Sequence, residues 1–220
     1  MRAIVFDFDG VIVDSERLHE EALREVCEPL GFEWRADAWV GWPDAEVFVE
    51  LHRRRGEELP APRLSELMCV KTEVVLRQVE RGLYKPYDGA VELVRESARL
   101  CRVGVCSAGT RDQIEPVLSR IGLRESVSAL VAFGDTARSK PDPAPYLLAI
   151  ERLGVPAREA AAVEDSPRGV ASARSAGLTV VAVGHTSSRE SLGGAHLYVE
   201  RIAELRADTL RVLVAERAGA

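Results

Sequence analysis

The sequence predicts an α/β protein: a three-layer, Rossmann-like core with a parallel sheet and an inserted all-helical cap. Three observations carry this reading. From residue 90 to 183, short apolar runs alternate with amphipathic stretches, the pattern of a parallel sheet covered on both faces. A similar run at residues 2–6 stands apart at the N-terminus. Between the two, residues 16–85 are helical in pattern. The 220 residues therefore divide into a core of 1–15 and 86–220 and a cap of 16–85, a length suited to one main domain with a smaller insertion.

The elements follow in order. Arg2-Ala3-Ile4-Val5-Phe6 stops at Asp7-Phe8-Asp9-Gly10, so a buried strand ends in a polar loop. From Ser15 to about Leu30, apolar Leu18, Ala22, Leu23, Val26 and Leu30 recur at three- and four-residue steps, and Gly31 stops the helix. Residues 34–84 stay helical through Val47, Val49 and Leu51, then Leu64, Leu67, Met68, Lys71, Val74, Val75 and Val79, with breaks at Gly56 and Pro60-Ala61-Pro62. After Lys85-Pro86-Tyr87-Asp88-Gly89 the expected elements are helix 90–99, strand 102–106, helix 111–121, strand 129–133, helix 144–153, strand 160–164, helix 167–176 and strand 178–183.

Composition narrows the function. Hydrophobic residues at 46% and charged residues at 29% are ordinary for a soluble globular protein. A net charge of -6 argues against nucleic acid as a partner. No apolar run reaches the ~18 to 20 residues that span a bilayer, so no membrane partner is expected. Cys27, Cys69, Cys101 and Cys106 form no C-x-x-C pair and read as small apolar side chains of a cytoplasmic protein. A monomer is the default. The basic residues include only three lysines, Lys71, Lys85 and Lys140.

In parallel sheets, functional groups collect at the carboxyl ends of strands. Those ends carry Asp7 and Asp9, then Ser107, then Lys140 in the loop after 129–133, then Glu164 and Asp165. Four carboxylates at one edge repel unless a hard cation joins them, and all-oxygen ligation suits Mg²⁺. Each group also has a plain reading: Ser107 and Asp165-Ser166 as helix caps, Lys140 as a solvated loop lysine.

Phe6-Asp7-Phe8-Asp9-Gly10-Val11-Ile12-Val13-Asp14-Ser15-Glu16 resembles the first motif of the haloacid dehalogenase superfamily. Cys106-Ser107-Ala108-Gly109 resembles its second, Lys140-Pro141-Asp142-Pro143 its third, and Val163-Glu164-Asp165-Ser166-Pro167-Arg168-Gly169 with Ala176-Gly177 its fourth. The inserted helices stand where that family has its cap. The resemblance implies a Mg²⁺-dependent phosphatase acting on a small-molecule phosphate ester through an aspartyl-phosphate. Asp7 would be the nucleophile and Asp9 the general acid and base. The metal would be held by Asp7, the carbonyl of Asp9, and Asp165 with or without Glu164. Ser107 with the N–H groups of Ala108 and Gly109 would grip the phosphoryl oxygens, and Lys140 would supply fixed positive charge. The founding dehalogenases lack the second carboxylate, so the intact Asp-x-Asp points to phosphate chemistry.

His19 falls one helical turn beyond Ser15 at the entry to the cap, where several relatives also carry histidine, and is read as a residue of cap closure, phosphate binding or proton transfer. His52, His185 and His196 read as surface or packing residues. Trp34, Trp39 and Trp42 read as cap core before substrate stack, and His52-Arg53-Arg54-Arg55 as a solvated helix face before an anion site. The alternative function is a phosphosugar mutase of the β-phosphoglucomutase type. Such relatives carry a lysine before the cap glycine and an arginine after it, whereas this chain has Val40-Gly41-Trp42-Pro43-Asp44. Phosphonate cleavage on Lys71 and a catalytically idle binding protein are the remaining readings. Nothing in the sequence desolvates Lys71.

Overall fold

The computed structural model describes residues 1–33, 39 and 42–218. A six-stranded sheet runs through it in the order β5-β4-β1-β6-β7-β8. The strands are β1 (Ala3–Phe6), β4 (Arg102–Cys106), β5 (Ala129–Val131), β6 (Ala160–Glu164), β7 (Thr179–Val183) and β8 (Leu197–Val199). All neighbours pair in parallel. The N-terminal strand therefore lies at the centre, with Ile4 opposite both Val103 and Ala161.

The alternation of side chains along β1 creates two cores. Ile4 and Phe6 pack with apolar residues of α4 (Ala90–Leu100), α5 (Arg111–Arg120) and α8 (Ala207–Ala218), whereas Ala3 and Val5 pack with those of α6 (Ala144–Leu153) and α7 (Pro167–Ser175). Both faces are covered, which is why these strands read as continuous apolar runs. Ala160, Ala161 and Ala162 on β6 are fully buried.

The helical insertion comprises α1 (Glu16–Cys27), a 3₁₀ turn at Glu28–Leu30, α2 (Asp44–Arg54) and α3 (Ala61–Glu80). Its two connections to the core run side by side: β2 (Val13–Asp14) pairs antiparallel with β3 (Lys85–Pro86). On α2 the buried residues are Asp44, Ala45, Val47, Phe48 and Leu51, and Val49, expected on the apolar face, is exposed because it lies on the opposite side of the helix. The expected elements end at residue 183, and both β8 and α8 lie beyond it. Ala207, Leu210 and Val214 form the buried stripe of α8, with Val212 half-exposed between them. Val40, Gly41 and Trp34 fall outside the described residues.

Candidate active site

The ends of β1, β4 and β6 and the loop after β5 bring Asp7, Asp9, Ser107, Lys140, Glu164 and Asp165 to one edge of the sheet. A cavity of about 250 Å³ opens there, lined by Asp7, Asp9, Ala108, Gly109, Lys140 and Asp165 on the core side and by residues of α1 and α2 opposite.

Lys140 Nζ lies 3.0 Å from Asp7 Oδ1 and donates to Glu164 Oε1 at 2.6 Å and to the Cys106 carbonyl at 2.8 Å. It is buried, and this corrects the solvated-loop reading of that lysine. Burial opposes its charge, but Asp7 and Glu164 carry its pKa well above the ordinary lysine value. Glu164 is wholly enclosed. Its Oε1 also accepts from Tyr146 Oη at 2.6 Å, and its Oε2 from Ser166 Oγ at 3.3 Å. A Cβ on Gly169 would fall 1.9 Å from Glu164 Oε2, so only glycine leaves room for this carboxylate at the start of α7.

Asp7 and Asp165 share the neighbourhood of Glu164 with a single ammonium. Burial and the Glu164 charge push the Asp7 carboxyl well above the usual carboxylate range, against the pull of Lys140. Burial, Asp7 and Glu164 do the same to Asp165. Thr186 Oγ1 donates to Asp165 Oδ2. Oxygens of Asp7, Glu164 and Asp165 all lie within 4.8 Å of one another. This anionic all-oxygen cluster fits a hard divalent cation of the Mg²⁺ class, which Zn²⁺ sites rich in His or Cys do not resemble.

Asp9 faces a different set. Its Oδ1 accepts from Ser15 Oγ at 2.5 Å and lies 2.8 Å from His19 Nε2, and Oδ2 accepts from Ser107 Oγ at 3.3 Å. Burial works against ionisation, but His19, Ser15 and Lys71 lower its pKa to about 2. His19 Nδ1 in turn lies 2.6 Å from Lys71 Nζ, which also donates to Asp44 Oδ2 at 2.6 Å. Because an ammonium only donates, His19 Nδ1 accepts and Nε2 carries the hydrogen directed at Asp9. Lys71 is fully buried, a desolvation that its place in a helical stretch does not announce.

Ser107 Oγ accepts from the Gly109 N–H at 2.9 Å. Thr110, forming a capping box with Gln113, starts α5, so the cap of that helix is not Ser107. Ser166 does cap α7, accepting from Gly169 N at 3.1 Å. Trp39 is buried and Trp42 is 37% exposed; both line the cavity, so they are not core alone. His52 bonds the Phe48 carbonyl at 2.7 Å, and Arg53 and Arg54 bind Glu50, a helix-face arrangement. Ser15, Lys71, Tyr146 and Thr186 hold site carboxylates or their partners and escaped the sequence reading, since each is joined to the site only by folding.

The family model for haloacid dehalogenase-like hydrolase matches residues 1–177. The crystal structure of CbbY from Rhodobacter sphaeroides in complex with phosphate is 29% identical, with a TM-score of 0.77 over 93% of this chain and 96% of that one. A mutant of the same protein was solved with xylulose-(1,5)bisphosphate. The phosphorylated carbohydrates phosphatase of Thermotoga maritima is 34% identical over 81% of this chain and 82% of its own length. A β-phosphoglucomutase from Clostridium difficile shares the fold with a TM-score of 0.89, covering 100% of both chains at 20% identity.

Proposed function

Because the chain belongs to the haloacid dehalogenase-like hydrolase family and is a phosphoric monoester hydrolase, we propose that it releases phosphate from a small phosphorylated sugar or related metabolite through an aspartyl-phosphate on Asp7. The observation that supports this most is the position of Lys140 Nζ, 3.0 Å from Asp7 Oδ1 at the floor of the cavity. A cation held there beside one carboxylate oxygen is suited to receive a phosphoryl group in line with the other.

In this reading Asp7 attacks phosphorus and Asp9 gives the leaving alcohol its proton. Asp9, again an anion, then takes a proton from the water that hydrolyses the acyl phosphate. His19, held by Lys71, and Ser15 orient Asp9 for both transfers. Ser107 and the N–H groups of Ala108 and Gly109 meet the phosphoryl oxygens once Ser107 turns from its contacts with Asp9 and Gly109. Asp7, Asp165 and the Asp9 carbonyl would hold Mg²⁺, with Glu164 fixing Lys140 and the start of α7. When bound, the ion offsets the negative charge between nucleophile and phosphate. Residues 16–85 act as the cap, and the β2–β3 ribbon is the hinge on which it closes.

Names of relatives agree with a carbohydrate phosphate as substrate. The test is phosphate release from p-nitrophenyl phosphate and a panel of sugar monophosphates, with and without Mg²⁺. Multiple turnover that needs no bisphosphate primer is expected. In a primed coupled assay, conversion of β-glucose 1-phosphate to glucose 6-phosphate faster than phosphate release would replace hydrolysis by the mutase reaction.

A further inference from the structure

The cavity has two unlike ends. Around Asp7, Lys140, Ala108 and Gly109 it suits a phosphoryl group; its outer end is lined by Glu16, Glu20, Asp44, Trp39 and Trp42. The buried cation nearest that end, Lys71, does not line the cavity. It is 0% exposed, and its ammonium is committed to Asp44 Oδ2 and His19 Nδ1, each at 2.6 Å. A leaving group therefore meets carboxylate rather than ammonium. Arg17 also lines the cavity, but its guanidinium is mostly exposed and paired with Glu21 at 3.0 Å. Trp39, on the same wall, buries an indole N–H that finds no acceptor among the described residues.

We infer that Asp44 is a specificity-determining residue, which reserves the outer end for a leaving alcohol rich in hydroxyl or ammonium donors and turns away a second phosphate. This rests on the phosphatase reading and goes beyond it by naming the substrate class: a polyol or aminopolyol monophosphate. Carboxylates accept hydrogen bonds from hydroxyl and ammonium groups and offer nothing to a phosphate dianion. In a partly desolvated cavity the repulsion between like charges is little screened. The two indoles give the carbon face of a polyol an apolar surface, and a cation a π-face. The buried N–H of Trp39 gains an acceptor when a hydroxyl arrives. By cancelling Lys71, Asp44 also removes the cation that would otherwise attract a second anion.

The experiment is competition against p-nitrophenyl phosphate hydrolysis by the full chain with Mg²⁺. The competitors are fructose 6-phosphate, glucosamine 6-phosphate and fructose 1,6-bisphosphate. The readout is the ratio of inhibition constants within each protein, because Asp44 also steadies Lys71 on His19 and its loss lowers absolute rates. The wild type is expected to bind either monophosphate at least ~10-fold more tightly than the bisphosphate, and Asp44→Asn, which leaves Lys71 uncancelled, to reduce that preference ~10-fold or more. The double variant Asp44→Asn/Lys71→Met removes both buried charges, so it remains informative if the single variant does not fold; its ratio should lie between the other two. A bisphosphate that competes as well as the monophosphates in the wild type, a ratio unmoved by Asp44→Asn or, where that variant does not fold, by the double variant, or no competition by any sugar phosphate overturns the inference while p-nitrophenyl phosphate is still hydrolysed. If the wild type hydrolyses none of that ester, the phosphatase reading falls and takes this inference with it.

Discussion

Lys140 Nζ and Glu164 Oε1 lie 2.6 Å apart beneath the site, both shut off from solvent. A buried pair of this kind adds little net stability when complete, but removing one partner strands the other. Lys140→Met is therefore expected to cost about 3–5 kcal/mol in urea unfolding, and to abolish turnover. Lys140→Met/Glu164→Gln should regain most of the stability and none of the activity. A single variant within ~1 kcal/mol of wild type would show that the pair is not desolvated as drawn.

Asp7→Asn separates chemistry from stability. A loss of turnover beyond about a hundredfold, equivalent to ~2.7 kcal/mol of barrier, is expected because the amide cannot attack phosphorus. Burial and Glu164 raise the Asp7 pKa in the folded, metal-free protein, so its contribution to stability is present below the unfolded value and lost as pH rises through the folded one. At neutral pH the ionised Asp7 is thus a burden, and Asp7→Asn should melt higher than wild type in EDTA. The gain should vanish near pH 4, and a gain independent of pH would rule out ionisation of Asp7 as its cause.

Gly10 and Asp165 supply a test of the metal. Gly10 has a φ of +78°, and a Cβ there would fall 1.9 Å from Asp165 Oδ2. EDTA should remove activity and Mg²⁺ restore it, with Ca²⁺ inhibiting because its larger, looser shell misplaces the nucleophile. Gly10→Ala and Asp165→Ala should each raise the Mg²⁺ concentration for half-activity. Full activity of a metal-free preparation would remove the cation from the mechanism.

How much of this the sequence shows depends on distance along the chain. The central strands are legible because both faces are buried and every residue is apolar, as in Ala3–Phe6 and Thr179–Val183. Asp7, Asp9, Glu164 and Asp165 are legible because a carboxylate straight after such a run has to end at the strand's edge. The two-residue ribbon of β2 and β3 has no periodicity to read. Tyr146 bonds Glu164 from 18 residues away, and Lys71 reaches His19 across 52; such partners are set by helix packing. The environment of Lys71 followed from neither its type nor its spacing.

The cap and the core also meet away from the cavity. Glu46 on α2 accepts from Arg168 at 2.9 Å and from Ser139, and the Arg168 guanidinium carbon lies 5.2 Å from the centre of the Trp42 ring. These contacts favour the closed position and should act mainly on KM. Arg168→Gln and Glu46→Gln should each raise KM for a sugar phosphate, and a double-mutant cycle should give a coupling of about 0.5–1 kcal/mol, as for a partly exposed pair. Additive effects would mean that the pair is incidental to closure.

His185 ties the first motif to the far side of the sheet in a way that fixes its protonation. Its Nδ1 lies 2.7 Å from the Gly10 carbonyl, which only accepts, and its Nε2 faces the Ile202 N–H at 3.1 Å, which only donates. The ring is therefore neutral, with its hydrogen on Nδ1, and it stacks on Tyr87 at 3.8 Å. A second proton would set two donors against each other at Ile202. Burial moves its pKa below the ordinary histidine value, although Gly10 and Asp14 oppose this. The unfolded chain thus takes up a proton first as pH falls, so the contribution to stability is full above about 6.5 and declines as pH drops through the folded value. The melting temperature is expected to fall between pH 7.5 and 5.5 more steeply in wild type than in His185→Gln, whose amide can still donate to Gly10 and accept from Ile202. His196, also lowered by burial, is common to both proteins and cancels in the difference. Parallel melting curves across that range would show that His185 is not the titrating tie.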